Sequence, residues 1–124
     1  MSKTIFIVED DSFLQGLEAT KLKKEGYDIQ TASKGREVFT ILEKNIKVDL
    51  ILLDLMLPDM DGFEVLKKLR EAPYSLKTPV IVFSNLSEES DIKKAKSFGI
   101  SEFMIKSNFN LDELSKKIKE MIGQ

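Results

Sequence analysis

Four places in this sequence carry side chains whose types and spacing suit chemistry. Glu9, Asp10 and Asp11 follow directly on an apolar run at residues 4–8, TIFIV. Asp54 follows directly on residues 48–53, apolar except for Asp49. Ser84 and Lys106 end two further segments, 80–83 and 102–105. The chain contains no cysteine and no histidine, which removes disulfides, thiolate metal sites and the commonest general base. Chemistry here rests on carboxylates, hydroxyls, lysines and borrowed ions.

If Glu9, Asp10 and Asp54 converge, their repulsion needs an answer. Two unit charges about 4 Å apart repel by roughly 4 kcal/mol at an effective dielectric of 20. Three carboxylates therefore require raised pKa values or a cation. All-oxygen ligands favour Mg²⁺ (or Mn²⁺) over zinc. Such an ion keeps several waters and can take a phosphoryl oxygen into its shell. A hydroxyl (Ser84) and an ammonium (Lys106) facing that site match a phosphoryl group attached to, or arriving at, Asp54, since carboxylates are nucleophiles in phosphoryl transfer. Taken singly, each residue has a plainer reading. An Asp after a strand caps a turn, Glu9-Asp10-Asp11 is a solvated helix start, and Lys106 is a surface charge. Only their joint placement makes a site.

That placement depends on the elements. Residues 4–8 read as a strand. Ser12 is a cap for the helix that follows, with Gln15 at the capping-box position and Phe13, Leu14, Leu17 and Leu22 as its apolar stripe. Gly26 ends that helix. Residues 27–32 are a short strand, and Ser33 caps a helix near 34–44 whose inner face is Val38, Phe39, Ile41 and Leu42. Residues 48–53 read as a strand covered on both faces. Pro58, Asp59, Asp61 and Gly62 shape a loop, and a helix runs from near Gly62 to about Ala72, where Pro73 stops it. After strand 80–83, Ser87 to Ser90 offer caps for a helix to about Phe98, closed by Gly99. Strand 102–105 comes next, and Asn110 caps a last helix over 111–122, with Gly123 and Gln124 as a tail. Strand then helix, five times, implies parallel strands with right-handed crossovers. The simplest result is an α/β, doubly wound five-stranded parallel sheet in the order 2-1-3-4-5. Its switch point lies between strands one and three, where Glu9, Asp10 and Asp54 sit.

The bulk properties agree. The 124 residues suit one domain, and 42% hydrophobic with 32% charged residues is a soluble globular composition. A net charge of -2 gives no general attraction to nucleic acid or anionic membrane. No apolar stretch reaches the length of a membrane span, and a cytoplasmic protein is the expectation.

With IFIVEDD after the first strand, LILLDLMLPDMDG around the third, PVIVFS at the fourth and GISEFMIK at the fifth, the chain resembles a response-regulator receiver domain over essentially its whole length. The resemblance implies the flavodoxin-like (βα)5 fold and a phosphorylation-controlled switch, not a turnover enzyme. It makes Asp54 the phosphoacceptor and Glu9, Asp10 and Asp54 the Mg²⁺ carboxylates, with Met56 adding a backbone carbonyl. Ser84 becomes the switch hydroxyl, Lys106 the lysine that contacts the phosphoryl group, and Phe103 the aromatic switch. Implied partners are a sensor histidine kinase or phosphotransfer protein, or a small phosphodonor, upstream, and a protein partner or fused output domain downstream. The response would run through the face of the fourth helix, fifth strand and fifth helix, with a homodimer through it as one option. The chain carries no output domain of its own, so it reads as a lone regulator or as one domain of a longer protein.

Two departures from that pattern stand out. Ser107 follows the lysine where the family usually has proline, so a trans Lys106–Ser107 bond and an altered loop are expected, because a non-proline cis bond costs about 2.5–4 kcal/mol. Asn85 takes a usually small position. With Met56 and Leu86 it would tune phosphoryl lifetime, and the apolar pair suggests a moderately long-lived phosphoform. Two other readings compete: a receiver-like adaptor that works without phosphorylation, and a Mg²⁺-dependent phosphotransferase or phosphatase, against which the absence of a lid segment counts. Asp59-Met60-Asp61-Gly62 superficially resembles a calcium loop or a phosphatase DxDG, but Asp61 and Gly62 more simply shape the loop and cap the next helix. Lys93, Lys94, Lys96, Lys116, Lys117 and Lys119 read as solvated faces, with Glu102 facing Lys93 or Lys117 as a possible charge pair.

Overall fold

Apolar residues alternate along each central strand so that successive side chains feed two separate cores. A computed structural model, describing residues 2–44 and 46–123, shows the result. The elements run β1 (Thr4–Val8), α1 (Ser12–Lys24), β2 (Asp28–Ala32), α2 (Gly35–Leu42), β3 (Leu50–Leu53), α3 (Gly62–Glu71), β4 (Val80–Ser84), α4 (Glu89–Lys96), β5 (Glu102–Ile105) and α5 (Leu111–Ile122). All strand pairs are parallel and the order is β2-β1-β3-β4-β5, as the alternation implied. Ile5, Ile7, Leu50, Leu52, Ile81, Phe83 and Met104 face α1 and α5, where Leu22, Leu114 and Ile118 close the layer. Phe6, Val8, Ile51, Leu53, Val80 and Val82 face α2, α3 and α4, against Val38, Leu42, Val65, Leu66, Leu69 and Ala95. Among the described residues, no helix is long and apolar enough to cross a membrane.

At α1 and α2 the caps differ from expectation for one physical reason: a carboxylate within reach displaces a hydroxyl as the cap. Asp11, not Ser12, caps α1, its Oδ1 accepting the amides of Phe13 (3.0 Å) and Leu14 (3.1 Å). Gln15 makes no capping box. Its Nε2 instead donates to the carbonyls of Glu9 (2.9 Å) and Ala32 (3.1 Å), tying the ends of β1 and β2 together. Ser33 does not cap α2. The free amides of Gly35 and Arg36 donate at 2.7 and 3.0 Å to the carboxylate of Asp59, which arrives from the β3–α3 loop. The serines at 87 and 90 do not cap α4 either, since its N-cap is Glu88, without a side-chain bond. Asn110 does cap α5, in a full capping box with Glu113. Gly26 and Gly99 adopt φ of 100° and 71° after their helices, the conformation that a glycine terminus supplies. Gln124 lies outside the described residues.

The inner stripe of α1 also differs. Glu18 and Leu22, spaced by four, are buried, with Leu14 half-buried, whereas Phe13 (76% exposed) and Leu17 (43%) lie on the neighbouring outer stripe. Away from the site, Arg70 at the end of α3 holds the rim of the α4 side together. Its guanidinium donates to the carbonyls of Ser75, Leu76 and Thr78 before β4 and of Phe98 and Gly99 after α4, at 2.9–3.3 Å. Arg70→Met strips those donors from partly buried carbonyls. It is expected to lower unfolding free energy by about 2–4 kcal/mol, measured by urea denaturation. A loss below the range typical of a surface change would show that water replaces the guanidinium.

Candidate functional site

The sheet delivers its reactive groups to one edge because the strands end in register. The ladder continues one residue past β1 and β3: the Glu9 amide donates to Ala32 O and the Asp54 amide to Val8 O, each at 3.0 Å. Glu9 and Asp54 are thereby fixed side by side, 2% and 4% exposed, while Asp10 remains exposed. Carboxylate oxygens of Glu9, Asp10 and Asp54 lie within 4.8 Å of one another.

Lys106, leaving β5, reaches both buried carboxylates. Its Nζ is 2.7 Å from Glu9 Oε1 and 2.6 Å from Asp54 Oδ2. Raised pKa or a cation were the two answers expected for the repulsion, and the chain's own ammonium supplies part of the second. Burial, reinforced by the charge of Asp54 and opposed by the bond to Lys106, also raises the Glu9 carboxyl above its usual range. Burial pulls the Lys106 ammonium down, but its hydrogen bonds to Asp54 and Glu9 outweigh that, and its pKa ends above the usual lysine value. The second oxygen of Asp54 accepts the Met56 amide at 3.0 Å, and the second of Glu9 accepts that of Asp11 at 3.2 Å. The donor set is all oxygen and shared by three carboxylates, which fits a hard divalent cation such as Mg²⁺ or Mn²⁺.

The β3–α3 loop forms one wall. Gly62 is required there, since a Cβ would stand 2.3 Å from Leu55 Cα and 2.4 Å from Leu55 O. Asp61 caps α3 through the Phe63 amide at 2.9 Å, as its sequence position suggested. Asp10, Met56, Pro58 and Asp59 help line an open cleft of about 630 Å³ on this side. A second cleft, about 530 Å³, lies across the site, lined by Leu14, Asn85, Lys106, Ser107, Phe109 and Leu111 among others. Residues Lys106–Asn108 form a single 3₁₀ turn, and every described peptide bond is trans, Lys106–Ser107 included.

Glu9, Asp10, Asp54 and Lys106 thus come together as their positions implied. Ser84 is fully buried at the end of β4, its Oγ accepting the Leu86 amide at 3.4 Å, with no hydrogen bond to Asp54 among the described residues. Phe103 is half-buried against the α2–α3–α4 core, as is Leu86, while Met56 and Asn85 are exposed. Of the lysines, Lys117 pairs with Glu102 at 3.8 Å within this chain, and Lys94 sits over the Phe63 ring at 4.5 Å. Sequence reasoning did not find the roles that Gln15 and Asp59 play, nor Glu18 at all. The first two act through chain segments far apart in sequence. The third stands where an apolar residue belongs in the four-spaced stripe, a signal present in the sequence.

Comparison with known proteins agrees with this fold. The response regulator receiver domain family matches residues 5–119, and the chain belongs to that family. It is 34% identical over 123 residues to the transcriptional regulatory protein CrdR of Helicobacter pylori, covering 99% of this chain and 56% of that protein. The phosphorylated cyanobacterial phytochrome response regulator RcpA superposes with a TM-score of 0.87 at 31% identity, covering 98% and 94% of the two chains. The Mn²⁺-bound form of the response regulator Rcp1 gives a TM-score of 0.81 at 28% identity, covering 95% and 90%. The chain spans about half the length of the curated relatives it matches. These relatives are signalling proteins, not metabolic enzymes.

Proposed function

We propose that residues 1–124 form one receiver domain, in which Asp54 accepts a phosphoryl group from the phosphohistidine of a sensor kinase or phosphotransfer protein, or from a small acyl phosphate. The observation that carries this reading is a buried Asp54 bound to Lys106 at 2.6 Å, with Glu9 and Asp10 oxygens within 4.8 Å. An Asp54 oxygen would form the new P–O bond as the donor's P–N or P–O bond breaks. Bound at Glu9, Asp10 and Asp54, with the Met56 carbonyl as a further ligand, Mg²⁺ or Mn²⁺ would neutralise charge on the transferring group. Lys106, bonded to Asp54, would keep one equatorial oxygen paired as Asp54 becomes an acyl phosphate.

The added dianion would draw the Ser84 hydroxyl inward from its weak bond to Leu86, and Phe103 would move into the space released. The face built by α4, β5 and α5 would then favour a second packing, acting on a protein partner, on a fused output domain or on a second copy of this chain. Met56, whose amide bonds Asp54, and Asn85 and Leu86, which follow Ser84, would set how readily water reaches the phosphoryl group. A cytoplasmic location fits such a role, and no direct contact with nucleic acid or membrane is assigned to this chain.

Intact-mass analysis after incubation with acetyl phosphate and Mg²⁺ tests the assignment. One phosphoryl adduct, Mg²⁺-dependent and absent in Asp54→Ala, is the expected result. An adduct that persists in Asp54→Ala would move the acceptor elsewhere. No adduct from acetyl phosphate, nor from a phosphorylated histidine donor, would favour an adaptor that works without phosphorylation.

A further inference from the structure

Strand alternation continues into the site. Ile5, Ile7 and Glu9 share one face of β1, Leu50, Leu52 and Asp54 the same face of β3, and Met104 and Lys106 that of β5. This is the face covered by α1 and α5. Glu18 is in the middle of the inner stripe of α1, one turn from Leu22, which packs in that same layer. The side chain of Glu18 is 1% exposed, and its Oε1 has no hydrogen-bond partner among the described residues. A fourth carboxyl is therefore sealed beneath the three of the site, without the donor that a buried carboxylate needs.

The charged groups that act on it come from each neighbouring element: Asp11 from the start of its own helix, Glu9 from β1, Asp54 from β3 and Lys106 from the end of β5. The inward residues of α5, Leu114, Ser115 and Ile118, carry no charge. At the α1–α5 rim, Lys21 pairs with Glu25 and Asp112, and Lys119 with Glu25. Burial, with the charge of Glu9 adding to it and Lys106 opposing, pushes the Glu18 pKa up to about 8. The carboxyl is thus held protonated at neutral pH.

We propose that Glu18 is a proton-exchange site coupled to the acidic cluster, releasing its proton to solvent when a divalent cation enters at Glu9, Asp10 and Asp54 and recovering it when the cation leaves. This rests on the reading of that cluster as a cation site. Two positive charges gained in the layer above favour an ionised Glu18, and the loss of one proton leaves the net gain at one charge. No hydrogen bond or ion pair joins Glu18 to the cluster among the described residues, so the coupling is electrostatic through a low-dielectric layer. Linkage is reciprocal: whatever makes Glu18 easier to ionise tightens cation binding.

The test is calorimetric titration of the whole chain with Mg²⁺ near pH 7, in buffers of different ionisation enthalpy, which counts the protons released. The wild type is expected to release about one proton more per Mg²⁺ than Glu18→Gln. The pH profiles should also part, the wild type gaining up to about tenfold in affinity per pH unit below pH 8 from this group. Glu18→Leu serves as a second neutral variant should Glu18→Gln fold poorly. Mg²⁺ binding with equal proton release in wild type and neutral variants overturns the coupling alone. A wild type that binds no Mg²⁺ overturns the cation site and the coupling with it.

Discussion

Lys106→Met is expected to lower the unfolding free energy by about 3–5 kcal/mol at neutral pH, the cost of removing one partner from a buried charge cluster. Lys106 has 14% of its side chain exposed and touches two carboxylates exposed by only 2% and 4%. Without it, Glu9 and Asp54 face each other across a desolvated gap, and the Glu9 carboxyl, already raised by burial, rises further. A carboxyl whose folded pKa exceeds its unfolded value loses stability as pH rises from the unfolded value to the folded one. The variant's deficit should therefore be smallest in mild acid and greatest above neutrality. Urea denaturation of both proteins near pH 5 and near pH 8 reads this directly. An equal deficit at both pH values would mean that the alkyl packing of Lys106, not its charge, matters. Added Mg²⁺ is expected to stabilise the variant more than the wild type, because a cation then replaces the missing ammonium.

Glu18→Leu should act in the opposite direction. The wild-type carboxyl has a usual value of 4.5 and is pushed to about 8 in the fold, chiefly by burial. Between those values the unfolded chain has released the proton and the folded chain still holds it. Folding therefore loses about 1.4 kcal/mol for each pH unit of rise. The whole span amounts to on the order of 4–5 kcal/mol. Leucine removes this dependence and places an apolar side chain one turn from the buried Leu22. The variant should be only modestly more stable than wild type near pH 4.5, with the gap widening up to about pH 8. Parallel stability profiles across that range would show that Glu18 ionises freely in the folded chain. Chains of this size are stable by only about 5–15 kcal/mol, so an unpartnered buried carboxyl is a large concession. Its position on the face that carries the acidic cluster is what the proposed proton exchange would use.

The sequence by itself determined the sheet and the end of it at which Glu9, Asp10, Asp54 and Lys106 meet. Five apolar runs alternating with helical stretches admit few arrangements, and the order β2-β1-β3-β4-β5 is the one observed. Because strands in a parallel sheet end in register, a carboxylate directly after β1 and another directly after β3 had to meet. Glu9, Asp10, Asp54 and Lys106 were legible for that reason. Asn110 was legible as a cap because its partner Glu113 is three residues away and local spacing decides the contact.

Tertiary structure decided whatever depended on a competitor from another segment. Ser33 has the chemistry of a cap, but Asp59, from the β3–α3 loop, brings charged oxygens to the amides of Gly35 and Arg36 and displaces it. Gln15 has capping-box spacing, yet its amide reaches two carbonyls that only the folded sheet places side by side. Lys106 could be assigned to the site from its position, but that it would answer the repulsion of two carboxylates at once required the distances. Phe13 and Leu17 lie outward and Glu18 inward because the direction of α1 over the sheet, not hydrophobicity, fixes which stripe is buried. Hydrophobic pattern and chain order set the topology. Competition between polar groups for the same partners is settled only once distant segments meet.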